Sequence, residues 1–131
     1  MLLRSNINKA ITEAKNWFLK EEKKGENSMV FKSAKNHLRS DDFVIWYDEA
    51  IYKLEHLEFY YDDINQYWGE TDGIKIWLNT YMDWTPELLK NTLIHEALHF
   101  TIQRKGKYDL SENKEHNIML QIDPKLINYD V

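Results

Sequence analysis

Apolar residues recur every three or four positions through the first third of the chain, which is the spacing of an amphipathic helix. The first stripe predicts a helix over about residues 6–23, and a second predicts a short helix over about residues 30–38. A third helix is predicted over about residues 43–54. The competing interpretation takes residues 43–47 as a buried strand, because that run is aromatic and β-branched. We therefore expect N-terminal helices and leave the strand open as an alternative.

The middle of the chain changes from helical spacing to short aromatic runs. These runs end at the pair Asp72-Gly73, which favours a hairpin turn. Residues 74–78 then alternate between apolar and polar side chains, so that one face of the strand is apolar. This part of the sequence predicts a small antiparallel sheet.

Two helices are predicted for the last third of the chain. Thr85 can cap the first, and Pro86 suits its first position. We expect this helix to continue to about Lys105. Ser111 opens the second helix, which should end before Pro124 because a residue preceding proline avoids the helical conformation.

Composition fits one globular domain over residues 1–131. The sequence is 43% hydrophobic and 14% aromatic, which is enough to build a core, and 30% of its residues are charged. With the elements above, this predicts an α+β fold with N-terminal helices, a small antiparallel sheet and two C-terminal helices.

Charge and cysteine content narrow the function classes. The net charge of −5 argues against a broad nucleic-acid-binding surface, which needs Lys and Arg to neutralise phosphates, although a local basic patch stays open. The absence of cysteine excludes disulfides, thiolate zinc sites and a Cys nucleophile. No signal peptide and no apolar run of roughly 18 residues is found. We expect a cytoplasmic protein without a membrane partner, and the oligomeric state is left open.

The first C-terminal helix carries an H-E-x-x-H motif, His95-Glu96-Ala97-Leu98-His99. Two His four residues apart lie on one helix face, with Cβ atoms about 5–6 Å apart, so both rings can bind one zinc ion. Glu96 is offset by one position and can act as general base on a zinc-bound water. Apolar neighbours indicate a buried helix, in which these ionisable groups would be costly without a metal. The motif therefore predicts a zinc hydrolase.

A zinc hydrolase uses three protein ligands and leaves the fourth position to water. His116, 17 residues after His99, is the favoured third ligand. Glu115 is the alternative, because two imidazoles and one carboxylate also make an established zinc site. Whichever of the two does not bind zinc can accept a hydrogen bond from a ligand's second ring nitrogen. Glu112 is a further candidate.

The order of these elements resembles that of the SprT-like (Spartan-like) zinc metalloproteases. In that family a strand of the pattern I-x-L-N/S precedes a helix of the pattern T-L-x-H-E-x-x-H. Here residues 74–79 read IKIWLN and residues 92–99 read TLIHEALH. The family's third ligand is a His about fifteen to twenty residues further on, where His116 stands. The resemblance covers about residues 40–122.

This resemblance implies a zincin-like fold, zinc bound by His95, His99 and His116, and Glu96 as catalyst. The chain departs from the family in three ways. Asn117 follows the third His where Gly is usual, and both a cysteine zinc ribbon and a basic DNA-binding tail are absent. The implied protease core therefore carries over without DNA–protein crosslink repair.

Two other peptidase groups share the motif. Minimal gluzincin-like and ImmA-type peptidases, which use a later Glu ligand, are similar through Glu115. Peptide deformylase needs a Cys ligand and is excluded by composition.

The sequence thus predicts a zinc metallopeptidase that hydrolyses a peptide or protein substrate, with the peptide pairing to the edge of the strand at residues 74–78. The alternative is a non-catalytic interaction domain in which zinc staples two helices. A third class, a metal-free nucleic-acid-binding protein, is disfavoured by the acidic balance.

Overall fold

A computed structural model describes residues 4–38, 43–104 and 110–127 and has an α+β fold. The helices are α1 (Arg4–Lys24), α2 (Met29–Leu38), α3 (Tyr47–Glu55), α4 (Pro86–Leu98) and α5 (Glu112–Ile122). The strands are β1 (Phe43–Ile45), β2 (Glu58–Tyr60), β3 (Gly69–Thr71), β4 (Ile76–Asn79) and β5 (Ile102–Arg104). Two 3-10 turns occupy Gly25–Asn27 and Pro124–Leu126.

The predicted N-terminal helices are confirmed. The apolar stripe of α1 is buried and packs against α3 and α4, and α2 packs against α5. In the described part of the chain, no helix combines the length and apolar character that a membrane span requires.

The third predicted helix is correct only in its second half. Residues 43–45 form β1, as the competing strand interpretation had it, and α3 begins at Tyr47. β1 pairs antiparallel with β5, with Ile45 opposite Ile102. This pairing satisfies backbone groups that a helix at residues 43–45 would have used locally.

The prediction that the first C-terminal helix reaches Lys105 is wrong, since α4 ends at Leu98 and Lys105 lies outside the described residues. The Thr101 hydroxyl donates to the carbonyl of Ala97 at 2.8 Å, and the Thr101 carbonyl accepts from Trp46 N at 2.6 Å. These bonds satisfy groups at the helix end, and the chain leaves as β5.

The second predicted helix is confirmed as α5. The Ser111 hydroxyl accepts from Lys114 N at 3.3 Å as its cap, and the helix ends before Pro124.

The small sheet is mixed rather than antiparallel. Its order is β2-β4-β3, with β3 antiparallel and β2 parallel to β4. Asp72 and Gly73 form the predicted hairpin turn, in which the Asp72 carboxylate accepts from the backbone N of both Ile74 and Lys75 at 2.8 Å. Ile74 is therefore in the turn and 65% exposed, whereas the predicted strand began there.

This order overturns the expected docking edge at residues 74–78. β4 is the central strand, and both of its edges already have partners. Among the strands that the structure describes, β3 has β4 as its sole neighbour, so its outer edge can accept a further strand.

Helix α4 is the centre of the core. Every residue from 91 to 98 is buried, because α1, α3, β3, β4 and α5 all contact the helix. The polar side chains of this stretch, His95 and Glu96 among them, therefore have little contact with bulk water. The H-E-x-x-H motif begins in this buried stretch and ends one residue beyond it, at the half-buried His99.

Asn79, at the end of β4, is fully buried and organises the loops beside the sheet. Its Nδ2 donates to the carbonyls of Asp62 at 2.9 Å and Tyr67 at 2.8 Å. Its Oδ1 accepts from the backbone N of Asp62 at 3.0 Å and of Tyr81 at 3.1 Å. One side chain thus ties the loop after β2 to the loop after β4.

We expect Asn79→Ala to lower the free energy of unfolding by about 2–4 kcal/mol, because it leaves buried backbone groups without partners. Asn36→Ala is the matched control, since the Asn36 amide makes an exposed bond to Gln121 Oε1 at 3.0 Å. Its cost should stay within about 0.5 kcal/mol. Urea denaturation measures both, and equal effects would contradict the role given to Asn79.

Candidate metal centre

His95 lies in the last turn of α4, and His99, four residues later, is the C-cap of that helix with helical backbone angles. The helix begins at the predicted cap. Thr85 Oγ1 accepts from Leu88 N at 3.2 Å, and Pro86 takes the first position. The His95 and His99 ring centroids are 5.0 Å apart, and their Nε2 atoms are 3.3 Å apart. Two ligands at about 2.0–2.1 Å from a tetrahedral zinc ion are separated by about 3.3 Å. The pair is therefore spaced for a shared ion.

His116 approaches the pair from α5. Its ring centroid lies 5.0 Å from that of His95 and 5.1 Å from that of His99. Each of the three residues offers one ring nitrogen, and these nitrogens all lie within 4.8 Å of one another. Two separate helices thus bring three histidines close enough to bind one metal ion.

The second nitrogen of each α4 histidine has a protein partner. His95 Nδ1 donates to the carbonyl of Leu126 at 2.6 Å, because a carbonyl can only accept. His99 Nδ1 lies 3.4 Å from Glu115 Oε2. Both contacts hold the rings so that their Nε2 atoms face each other, which is how hydrogen-bonding neighbours orient metal-binding imidazoles.

The pKa values of the histidines follow from this crowding. Burial lowers the pKa of His95 to about 4, against the raising effect of the Leu126 carbonyl. Burial and the neighbouring His99 lower the pKa of His116. Burial also acts to lower the pKa of His99, but the hydrogen bond to Glu115 and nearby carboxylates outweigh it and raise the value. Burial thus favours the neutral form of His95 and His116, whereas the carboxylates near His99 favour its protonated form.

Glu96 lies beside the cluster and is 5% exposed. Its Oε1 is 3.7 Å from His95 Nε2, and burial raises the pKa of its carboxyl to about 7. Glu96 Oε2 and His116 Nε2 are buried and have no hydrogen-bond partner within the described residues. Such atoms are rare in folded proteins and indicate a missing ion or water. The donor set of three imidazoles and one adjacent carboxylate fits zinc.

β3 lies directly over Glu96 because its first residue is Gly69. A Cβ at that position would be 3.0 Å from Thr92 Cγ2 and 3.4 Å from Glu96 Cγ. Any larger side chain would press the strand away from α4. Gly69 thus allows the strand edge to approach the carboxylate.

The histidines and Glu96 line an open cleft of about 700 Å³. β3 contributes one side of the cleft, and α5 contributes Glu112 and Glu115 on another. The centre can therefore be reached from solvent while its polar atoms stay largely buried.

The structure brings together His95, Glu96, His99 and His116, as the sequence predicted. Glu115 lies against His99 Nδ1, the position expected for whichever candidate does not bind the metal. Glu112 lies 3.9 Å from His116 Nε2.

Two contributors were missed by the sequence analysis. The Leu126 carbonyl leaves no sequence signal, because every residue has a carbonyl. Gly69 precedes the predicted turn at Asp72 and Gly73 by three residues, and no local pattern indicates its approach to α4.

Comparison with protein-family models, with curated proteins and with solved structures finds no match to this chain.

We expect one zinc ion per chain. Its affinity should depend on the three histidines and on the residues that hold their rings in place. Glu115→Ala should weaken zinc binding about 10- to 100-fold by releasing the His99 ring, and His116→Ala should weaken it more. His37→Ala and Glu22→Ala, both away from the cleft, should leave the affinity unchanged. Competition with a chromophoric chelator measures each value. Unchanged affinity in His116→Ala would exclude it as a ligand.

The zinc-free protein should show the raised pKa of Glu96 in its stability. Between the ordinary value of 4.5 and about 7, the folded state keeps a proton that the unfolded state has lost. The free energy of unfolding therefore falls as pH rises through this window. Glu96→Gln lacks this titration. The free energy of unfolding of Glu96→Gln, minus that of the parent, should therefore rise by about 3 kcal/mol from about pH 4 to pH 8.

Urea denaturation of chelator-treated protein at several pH values measures this difference. The lowered pKa of His95 makes stability rise with pH instead, but it does so in both proteins and cancels in the difference. A difference that does not change with pH would show that Glu96 titrates normally.

Proposed function

We propose that this protein is a zinc-dependent metallopeptidase that hydrolyses peptide bonds. The observation that carries the proposal is the convergence of three histidine nitrogens beside the Glu96 carboxylate, whose Oε2 has no partner among the described residues, in an open cleft. A structural zinc site is closed by four protein ligands, whereas a hydrolytic site has three and leaves one position for water. Three imidazoles with a carboxylate beside them fit the second arrangement.

His95, His99 and His116 would hold the zinc ion. When bound, zinc supplies Lewis acidity, which polarises a carbonyl and lowers the pKa of water. Glu96 accepts the proton of the attacking water and delivers it to the nitrogen of the leaving amine. Burial keeps this carboxylate basic enough to take a proton near neutral pH. Glu115 and the Leu126 carbonyl hold the imidazoles in orientation.

The substrate would bind as an extended strand along the outer edge of β3. Gly69, Glu70 and Thr71 of β3 line the cleft beside Glu96. An added peptide strand obtains main-chain hydrogen bonds from such an edge and presents its carbonyls in a fixed register. This edge replaces the one expected at residues 74–78.

The order of elements supports a SprT-like, zincin-like assignment within this proposal. β4 ends in the IWLN sequence, α4 carries H-E-x-x-H, and α5 supplies His116. The order of the elements and the geometry of the histidines are therefore compatible with the family that the sequence resembles.

The competing proposal is a non-catalytic domain in which zinc staples α4 to α5. The observation that favours it is His116, which alone among the three histidines comes from the second helix. Both proposals require zinc, and they differ in what Glu96 does.

We expect Glu96→Gln to keep its zinc and to lose peptidase activity by about 10²–10⁴-fold, because only the proton acceptor is removed. Glu22→Gln is the control, since it removes the same charge from the exposed face of α1. Hydrolysis of a mixed library of fluorescence-quenched peptides and elemental analysis give the two readouts. Equal rates for Glu96→Gln and parent would refute the mechanism. A zinc-loaded parent without activity would favour the staple.

A further inference from the structure

Four large apolar side chains are exposed in the loops that follow β2 and β4, and one of them, Tyr67, lines the cleft. We call them the aromatic shelf: Tyr61, Ile64, Tyr67 and Tyr81. Their exposed fractions are 65%, 86%, 62% and 44%, respectively. Single exposed apolar residues are ordinary, but a group gathered in two loops that Asn79 joins suits an interaction site.

The shelf is held in place rather than left to collapse. Asn79 fixes both of its loops through the four hydrogen bonds described above. The Asp62 carboxylate accepts from Ile64 N at 2.8 Å, and the rings of Tyr61 and Tyr81 meet edge to face at 5.3 Å. A surface ordered in advance loses little conformational entropy when a partner binds.

The shelf is continuous with the cleft. Tyr67 belongs to the shelf and also lines the cleft, and β3 begins two residues later at Gly69. A chain bound along the outer edge of β3 would therefore pass onto the shelf at one end of the strand. The shelf is placed to receive side chains beyond the bond that is cut.

The charges of the cleft and of the shelf loop determine which charge a partner should carry. Besides Glu96, the cleft is lined by Glu70, Glu112 and Glu115, and no Lys or Arg is among its described lining residues. A zinc ion brings two positive charges, and three carboxylates besides Glu96 remain among the described lining residues to balance it and to attract a cation. Asp62 and Asp63 extend the negative charge along the shelf loop.

We propose that the aromatic shelf and the acidic cleft together bind an extended, cationic polypeptide that carries apolar side chains at alternate positions. This names the substrate class of the peptidase and rests on that proposed function. Alternate side chains of an extended chain point to one side, so an apolar set can contact the shelf while the basic set meets the carboxylates. Anionic partners are repelled by the same charges.

The test measures binding to the zinc-loaded Glu96→Gln protein by fluorescence anisotropy, so that no hydrolysis interferes. The probe is a short fluorescein-labelled peptide of alternating Lys and Leu. One comparison peptide has Ser for Leu, and another has Glu for Lys. Ile64→Ser and Tyr67→Ser, each added to Glu96→Gln, probe the shelf. Leu19→Ser, which removes an exposed apolar side chain from α1, is the control.

We expect the Lys-Leu peptide to bind Ile64→Ser and Tyr67→Ser about tenfold more weakly than it binds the background, and Leu19→Ser to change nothing. The Lys-Ser and Glu-Leu peptides should bind the background weakly. Equal binding of the Lys-Leu peptide to all three variants would overturn the proposal. So would shelf-dependent binding of phosphatidylcholine vesicles with no shelf-dependent peptide binding, which would assign the surface to lipid.

Hydrolysis of the Lys-Leu peptide by the parent chain reports on the proposed function separately. If binding depends on the shelf but the peptide is not hydrolysed, the proposed binding surface stands and the proposed peptidase function is refuted. Hydrolysis with KM and kcat both unaltered by Ile64→Ser would retain the peptidase and refute the surface. The full proposal requires a raised KM with an unaltered kcat in Ile64→Ser.

Discussion

The burial of residues 91–98 of α4 is the constraint on which the rest of the structure depends. It leaves His95 and Glu96 only 9% and 5% exposed, at the floor of the cleft. His95 donates from Nδ1 to the Leu126 carbonyl, and its Nε2 lies 3.3 Å from that of His99. With the ring of His116 beside them, three imidazole nitrogens are close enough to bind one metal ion.

The elements around α4 each supply part of this arrangement. α5 brings His116 and Glu115, and α2 supports α5 through Ser33, whose hydroxyl donates to the Ile118 carbonyl at 2.8 Å. The 3-10 turn Pro124–Leu126 supplies the carbonyl that orients His95. β3 reaches Glu96 only because Gly69 has no side chain. A site built from helices and backbone groups loses little conformational entropy when it binds a metal. This is the advantage of a pre-organised site.

Features that depend on residues close together in the chain could be predicted from the sequence, whereas the pairing of distant strands could not. The cap at Thr85, the turn at Asp72 and the i, i+4 histidines all rest on contacts within a few residues, and the structure has them. The end of α4 and the split of residues 43–54 were misjudged because β1 and β5 pair across almost half of the chain. The parallel pairing of β2 with β4 was equally invisible. His116 was foreseen by its residue type and chain distance, whereas the Leu126 carbonyl needed the fold.

X-ray absorption at the zinc edge of the purified, zinc-loaded protein tests the central claim most directly, because imidazole ligands give a distinct multiple-scattering signal. The account predicts three imidazole nitrogens and one oxygen from water, each at about 2.0–2.1 Å. Four protein ligands, fewer than two imidazoles, or no stoichiometric zinc would contradict it.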